Sequence, residues 1–396
     1  MPAASTSSSS PWPDPMFAPS RLKLARQRLG LTLTGLANAS GVSPRSLTNF
    51  ETGDRVPSAE SLEKLATALS VPTAFFDREA LEAIAPEAAS FRKLSKTSAT
   101  RRDAVLAGAS LTVEFYDYIS SNFHLPEPNI PTLDKLAPEA AAELVRQRWA
   151  LGDRPVANLV HLMESKGVRL GALKHQYHDI DAFCFVRDNT PYVLLNTSKS
   201  GERQRFDAAH ELGHLVLHDE LEMDPSTSKE RESEANQFAS AFLMPRSAVL
   251  AQSMRAASLD RVLAARRYWR VSAMALTHRL HELRLLNNWQ YRTMCLNLSE
   301  LGYRSTEPGG IVPETSQLLR KVMYGTAGRV TVRDAANALS LDQRDVRGFV
   351  RDLVPVSAAD DLSDRGPAAS AIDSPLGSER SGLKLVEGSQ RRRRSG

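Results

Sequence analysis

The sequence predicts a mainly α-helical protein with a small β-sheet, an α+β fold. Apolar residues recur at helical spacing along most of the 396 residues, whereas strand-like segments cluster between residues 156 and 200. The strand candidates are Val168–Ala172, Ala182–Arg187 and Tyr192–Asn196, and the pair Asp188 and Asn189 predicts a turn between the last two. We therefore expect one small sheet among many helices.

Composition divides the chain into six parts. Residues 1–19 consist mostly of Ser, Pro and Ala, and residues 357–396 are rich in Ser, Ala, Asp, Pro and Gly and end in Arg391–Arg394. Both segments have too few core-forming residues to offset their ordering entropy, so we predict two disordered tails, of which the second is basic. Between the tails we expect a helical bundle at 20–77, a basic helical linker at 78–132, a strand-containing domain at 133–250 and a helical accessory region at 251–356.

The composition excludes several classes of protein. Two cysteines, Cys184 and Cys295, are too few for a disulfide framework or a cysteine-based zinc site, which suits a reducing cytoplasm. No apolar run reaches the ~20 residues that a membrane span needs. The N-terminus also lacks the basic start and apolar stretch of a secretory signal. We therefore predict a cytoplasmic protein without a membrane segment.

Charge is unevenly distributed along the chain. Residues 20–76 carry seven Lys or Arg against four acidic residues, and residues 89–102 carry five basic residues and no acid. Residues 201–236 reverse this balance, with ten acidic and four basic residues. The basic head suits a phosphate-bearing partner, and the acidic segment suits a cation.

Residues 21–58 predict two helices joined by a tight turn. Gly41 supplies the positive φ that such a turn needs, Ser43 can cap the next helix, and Pro44 fits its first turn. Leu47 and Phe50 then face inward. This layout lets the second helix enter a DNA major groove, and the candidate DNA-contacting residues are Ser43, Pro44, Arg45, Thr48, Asn49 and Arg55.

This segment resembles the phage-repressor type (XRE family) of helix-turn-helix domain. The matching features are Leu33–Ala37, Gly41–Ser43, Glu51–Gly53 and the pair Pro57 and Ser58. The family often has a phosphate-contacting Gln where this chain has Leu33, so we do not expect that contact here. The resemblance implies binding to a double-stranded DNA operator. Two-fold dimerisation is typical of this class of DNA-binding domain, which makes a homodimer a candidate assembly.

Residues 206–218, FDAAHELGHLVLH, contain a His-Glu-x-x-His motif. His210 and His214 lie one turn apart on a helix, a spacing that lets two imidazoles bind one Zn²⁺. Glu211 is positioned to take a proton from water that the metal activates. Apolar neighbours predict that this helix is buried, and buried histidines need polar partners. With two cysteines in the chain, any zinc must be held by His and carboxylate side chains.

Zinc needs a third protein ligand, which we expect from the next helix, residues 229–245. We choose Glu232, because Asn236 lies one turn further on the same face and can support a ligand or a histidine. Glu234 is the alternative, since it also lies beside the apolar face. We interpret His218 as a structural or supporting residue rather than a ligand.

The two motifs HELGHLVLH and E-x-E-A-N-x-F-A-x-x-F-L-M-P together resemble the ImmA/IrrE family of zinc metallopeptidases over roughly residues 140–250. The resemblance implies a gluzincin-like site that cuts a partner repressor. It makes His210, His214 and Glu232 the ligands and Glu211 the general base, and it implies that strand Tyr192–Asn196 pairs with an extended substrate. No transition-state stabiliser can be chosen among Tyr177, His175 and His178.

Two further segments have a sequence pattern similar to that of a helix-turn-helix. Residues 251–292 and 331–353 each fit either a second helix-turn-helix or a helical accessory unit, and we expect the accessory unit in both cases. The first hypothesis for the whole chain is a DNA-binding regulator fused to a zinc endopeptidase that cleaves another regulator or itself. The alternatives are a transcription factor whose zinc domain is a non-catalytic sensor, and a protease whose N-terminal unit binds protein.

Overall fold

The computed structural model describes residues 17–84, 98–173, 177, 180–218, 227–325 and 329–354. The predicted tails therefore lie almost entirely outside the described residues, as does the Arg391–Arg394 run. The described part is mainly α-helical with one small mixed sheet, which confirms the predicted fold class. No helix in these ranges is both long and apolar enough to cross a membrane.

The N-terminal bundle is built around a tight turn between its second and third helices. Its elements are α1 (Pro19–Arg28), α2 (Leu33–Ser40), α3 (Pro44–Thr52), α4 (Ala59–Leu69) and a 3₁₀ helix (Thr73–Phe75). Gly41 adopts a φ of 71°, Val42 is buried, and the Ser43 hydroxyl accepts the Ser46 N–H at 3.1 Å to start α3. Helix α1 begins at Pro19, so the predicted N-terminal tail, residues 1–19, overlaps the helix by one residue.

Helix α5 (Ala99–Ser120) packs against α1, and its middle is buried on most sides. The Glu114 carboxylate accepts two hydrogen bonds from Arg21 at 2.7 and 2.8 Å and two from Arg78 at 2.7 and 3.0 Å. Interpreting residues 78–132 as a linker is therefore wrong for α5, which is a core helix. Basic residues at the start of α5 are typical of an exposed linker, but the apolar residues that follow them determine how the helix packs.

The sheet lies in the middle of the fold. Helices α6 (Pro138–Arg148) and α7 (Leu159–Ser165) lead to strands β1 (Arg169–Ala172), β2 (Ala182–Arg187) and β3 (Thr190–Leu195). Strand β3 lies between β1, to which it is parallel, and β2, to which it is antiparallel. The expectation that Tyr192–Asn196 pairs with a substrate is therefore wrong, because neighbouring strands occupy both edges of β3.

Alternating side chains of the sheet enter two different apolar cores. Phe183, Phe185, Tyr192 and Leu194 join the core that contains α5 and the N-terminal bundle. The other face joins the core of the two long helices α8 (Gly201–Leu217) and α9 (Ser228–Leu243), and it presents Leu170, Cys184, Val193 and Leu195. The sheet thus separates the N-terminal bundle from α8 and α9.

The remaining helices extend both cores. They are α10 (Arg246–Ala251), α11 (Leu259–Trp269), α12 (Ala273–Glu282), α13 (Asn288–Glu300), α14 (Gln317–Tyr324), α15 (Val332–Leu339) and α16 (Gln343–Val350). Helices α10 to α13 contribute to the core of α8 and α9, whereas α14 to α16 contribute to the core of α5. The C-terminal third of the chain is therefore shared between the two cores.

Candidate metal centre

The His-Glu-x-x-His sequence lies on the C-terminal half of α8, where α9 crosses it closely. Gly213 permits this approach, because a Cβ atom there would meet the Phe238 ring at 3.1 Å and the Ala235 Cα at 3.2 Å. Such distances are shorter than ordinary van der Waals contact, so a larger residue would push α9 away. The glycine of the motif therefore brings the side chains of α9 next to the two histidines.

Three side chains meet at this crossing. The Nε2 atoms of His210 and His214 lie 3.1 Å apart, and the Glu232 carboxylate lies 3.7 Å from the first and 3.5 Å from the second. One donor atom from each residue falls within 4.8 Å of the other two. Two imidazole nitrogens and a carboxylate oxygen are a donor set typical of a catalytic divalent-metal site.

The second nitrogen of each imidazole has a partner that sets its tautomer. Asn236 Oδ1 lies 3.1 Å from His210 Nδ1 and can only accept, so Nδ1 donates and the Nε2 lone pair points into the cluster. His214 Nδ1 lies 3.0 Å from His218 Nδ1, and His218 Nε2 lies 3.0 Å from the Glu234 carboxylate. Because that carboxylate accepts from Nε2, His218 Nδ1 accepts from His214.

These contacts give Glu234 a different position from Glu232. The Glu234 side chain is 46% exposed and pairs with His218, whereas that of Glu232 is 16% exposed and faces His210 and His214. His218 has a 6% exposed side chain, and burial lowers its pKa to about 4. A neutral His218 is the form that can accept from His214 and donate to Glu234 at once.

Glu211 is buried beside this cluster. Burial raises the pKa of its carboxyl to about 8, the nearby Glu232 and Asp207 carboxylates add to the increase, and hydrogen bonds from Cys184 oppose it. Its Oε2 atom has no hydrogen-bond partner among the described residues. A buried carboxylate oxygen without a partner costs free energy unless a ligand, water or ion satisfies it.

A cleft of about 1080 Å³ opens next to the cluster. Asn236 and Asp207 line it on the side of α8 and α9, and the outward residues Met274 and His278 of α12 line it on the other side. Lys199 projects into the cleft and pairs with Asp181 and, at 3.3 Å, with Asp207. Helix α12 therefore forms a wall of the cleft.

The predicted DNA-contacting residues lie in the N-terminal bundle, on the outer side of α3 and in the turn after it. Ser43, Pro44, Arg45, Thr48 and Arg55 are exposed, and Asn49 is half-buried. The Thr48 hydroxyl donates to the Pro44 carbonyl at 3.0 Å, and the Asn49 carbonyl accepts the Arg55 N–H at 3.1 Å. The structure thus places these six residues together on one surface.

Of the three candidates for a transition-state stabiliser, only Tyr177 lies within the described residues, and it does not join the cluster. His175 and His178 lie outside the described residues. Tyr177 is buried in the core of α5, on the opposite face of the sheet from α8, with the Arg101 guanidinium 5.7 Å from its ring centre. The sequence alone does not reveal Cys184 and Lys199 as site residues, because their contacts with Glu211 and Asp207 form only in the folded chain.

Comparison with protein families covers both regions. Residues 22–76 match the helix-turn-helix family model, and residues 163–281 match the Peptidase M78 model, described as an IrrE N-terminal-like domain. The chain joins a helix-turn-helix domain to an IrrE-like domain. Both resemblances drawn from the motifs are thereby confirmed. No curated protein matches the chain.

Proposed function

We propose that this protein is a DNA-binding regulator whose IrrE-like domain is a zinc-dependent endopeptidase acting on a regulatory protein in the cytoplasm. The observation that supports it most directly is the meeting of His210, His214 and Glu232 beside the buried Glu211. Within the described ranges the cluster offers three protein ligands, which leaves a further coordination position, as in catalytic zinc sites. A closed structural site would use a fourth protein ligand instead.

The residues present fit a zinc ion. His210 and His214 already direct lone pairs toward each other, and the Glu232 carboxylate would balance part of the metal charge. Asn236 and His218 would hold the two imidazoles in their ligating tautomers. When bound, zinc would act as a Lewis acid toward the peptide carbonyl and toward water. Glu232 rather than Glu234 is our choice of third ligand, because Glu234 pairs with His218.

Glu211 would serve as the general base. Its buried Oε2 has no hydrogen-bond partner among the described residues, and Cys184 holds the carboxyl group in place beside Glu232. The carboxylate would take the proton of the attacking water and then deliver it to the leaving amine. Strand β2, which carries Cys184, is therefore the strand of the sheet that lies beside this step.

The substrate would be a second protein molecule. The N-terminal bundle packs on the α5 side of the sheet, whereas α8 and α9 pack on the other side. The described helices of the chain's own DNA-binding unit therefore lie across the sheet from the metal cluster. This arrangement favours cleavage of a separate regulator over self-cleavage of the folded bundle.

Metal removal tests this proposal. We expect the zinc-loaded full chain to generate new N-termini in the native proteome of its source cell, and a chelator to prevent their formation. Mass spectrometry of labelled N-termini measures both outcomes, and re-addition of Zn²⁺ is the control for chelator damage. New termini that persist after chelation, or none in the loaded sample, would contradict the peptidase assignment.

Replacing each of the two candidate carboxylates separately by an amide tests which of them is the third zinc ligand. We expect Glu232→Gln to weaken zinc binding by more than 100-fold, because the amide supplies no charge to the metal, whereas the effect of Glu234→Gln is about tenfold and acts through His218. Competition with a chromophoric chelator measures both affinities. Glu230→Gln is the matched control, since Glu230 is exposed on the same helix. A larger loss in Glu234→Gln than in Glu232→Gln would assign the ligand to Glu234.

A further inference from the structure

The turn between α15 and α16 has the same three consecutive features as the turn between α2 and α3. Ser340 adopts a left-handed φ of 52°, Leu341 is buried, and the Asp342 side chain accepts the Arg344 N–H at 2.7 Å to start α16. The α2–α3 turn likewise has a left-handed residue, a buried apolar residue and a capping residue. Two short helices joined in this way form a helix-turn-helix.

The two segments also align in sequence without a gap. Residues 32–50 read TLTGLANASGVSPRSLTNF, and residues 331–349 read TVRDAANALSLDQRDVRGF. Six of the 19 positions are identical, including a Thr that caps the first helix and a Phe that is buried at the end of each segment. Arg45, a predicted DNA contact, aligns with Arg344. The helix-turn-helix family match covers the first segment only.

The inward face of α16 holds the second unit onto the first. Asp345 is buried and forms an ion pair with Arg28 of α1, and the Phe349 ring lies 5.7 Å from the ring of Phe115 in α5. The Arg78 guanidinium donates to the Ala338 carbonyl of α15. The inward residues of α16 thus attach it to the α5 core, and its outward residues face away from that core.

The outward face of α16 is basic. Arg344 has an 82% exposed side chain, Gln343 and Arg351 are exposed, and Arg347 is half-buried one turn beyond Gln343. Residues 317–354 contain seven Lys or Arg and four acidic residues, the same balance as residues 20–76. An arginine-bearing helix of this kind can contact phosphates and the guanine edge in a major groove.

We propose that helices α14, α15 and α16 form a second DNA-binding unit, with α16 as its recognition helix and duplex DNA as its ligand. Duplex RNA does not fit, because its major groove is too deep and narrow to admit a helix. Helix α12 follows a similar turn but lines the cleft beside the metal cluster, so α16 is the better candidate. The ion pair of Arg28 with Asp345 joins the two units into one body, so DNA binding by the second unit would add to the stretch of duplex that the chain protects.

Substitution of the outward arginines tests this proposal. The double change Arg344→Gln and Arg347→Gln is made in the full chain, and binding is measured to duplexes of about 30 base pairs selected from a random pool by the wild-type protein. We expect affinity to fall by about 10- to 100-fold and the salt dependence to decrease by about one unit per lost phosphate contact. We also expect the protected stretch of DNA to become shorter.

The matched control is Arg284→Gln with Arg292→Gln, which removes two exposed arginines of the α12–α13 region. We expect this control to bind like the wild type. Unchanged affinity, salt dependence and footprint in the Arg344→Gln and Arg347→Gln protein would overturn the proposal. Arg45→Gln, measured in parallel, tests the first unit separately, so failure of either unit is recognised independently of the other and of the peptidase.

Discussion

Glu211→Gln is expected to lower the rate of peptide-bond cleavage by about 10²- to 10⁴-fold, the usual contribution of a general base. The amide has nearly the same shape as the carboxyl group but cannot take a proton from water. Without a cation, burial and the nearby Glu232 and Asp207 carboxylates disfavour the ionised form of Glu211, so the fold should tolerate a neutral amide here. The charge of a bound metal ion would favour the carboxylate that acts as the base. Initial rates of appearance of new N-termini measure the loss.

Metal content and DNA binding provide the controls for this variant. Glu211 is not one of the three clustered side chains, so zinc binding should stay within about tenfold of the wild type. Glu230→Gln, on the exposed side of α9, should retain full activity. Cleavage by Glu211→Gln at the wild-type rate would exclude Glu211 as the base.

The same variant separates the peptidase from a non-catalytic sensor. A sensor needs the metal and the contacts between domains, and Glu211→Gln leaves both in place. A transcriptional reporter that responds normally in this variant would therefore favour the sensor. Loss of the response, with metal and DNA binding retained, would show that regulation depends on cleavage.

The features that the sequence predicts well are those encoded by neighbouring residues. Strand β2 begins and ends where its apolar pattern does, and the turn that follows uses left-handed Asp188 and Asn189, as their side chains allow. The spacing of His210 and His214 determines their common face because one helix carries both. Such local rules also located α3 and its cap.

The features that the sequence does not predict depend on contacts between distant segments. Strand order is one example. Strand β1 pairs with β3, although β2 lies between them in the sequence, and no local pattern shows which strand is central. Burial of α5 is another, since Glu114 meets Arg21 from 93 positions away. Cys184 reaches Glu211 only after the sheet packs on α8.

The second large effect concerns one such distant contact. The Glu314 carboxylate forms a buried ion pair with Arg205 of α8 and accepts the backbone N–H groups of Leu159 at 2.7 Å and Val160 at 3.0 Å. The exposed fractions of the two charged side chains are 0% for Arg205 and 1% for Glu314. One side chain thus joins the start of α7 to the helix that carries the metal ligands.

Glu314→Ala is expected to lower the free energy of unfolding by about 3–5 kcal/mol, because it leaves the Arg205 charge buried without its partner. The two N–H groups of α7 would also lose their acceptor. The urea unfolding transition, followed by tryptophan fluorescence, measures the change, and Glu300→Ala at the exposed end of α13 is the control. A loss below about 1 kcal/mol would mean that the site relaxes or admits water.

This contact has a consequence for the extent of the peptidase unit. The family match ends at residue 281, but Glu314 lies beyond it and holds α8 and α7 together. Because His210 and His214 lie on α8, a chain that ends at 281 would lose a buried anchor of the metal-bearing helix. Zinc binding in the Glu314→Ala protein should therefore weaken along with stability, although Glu314 contacts none of the three clustered side chains.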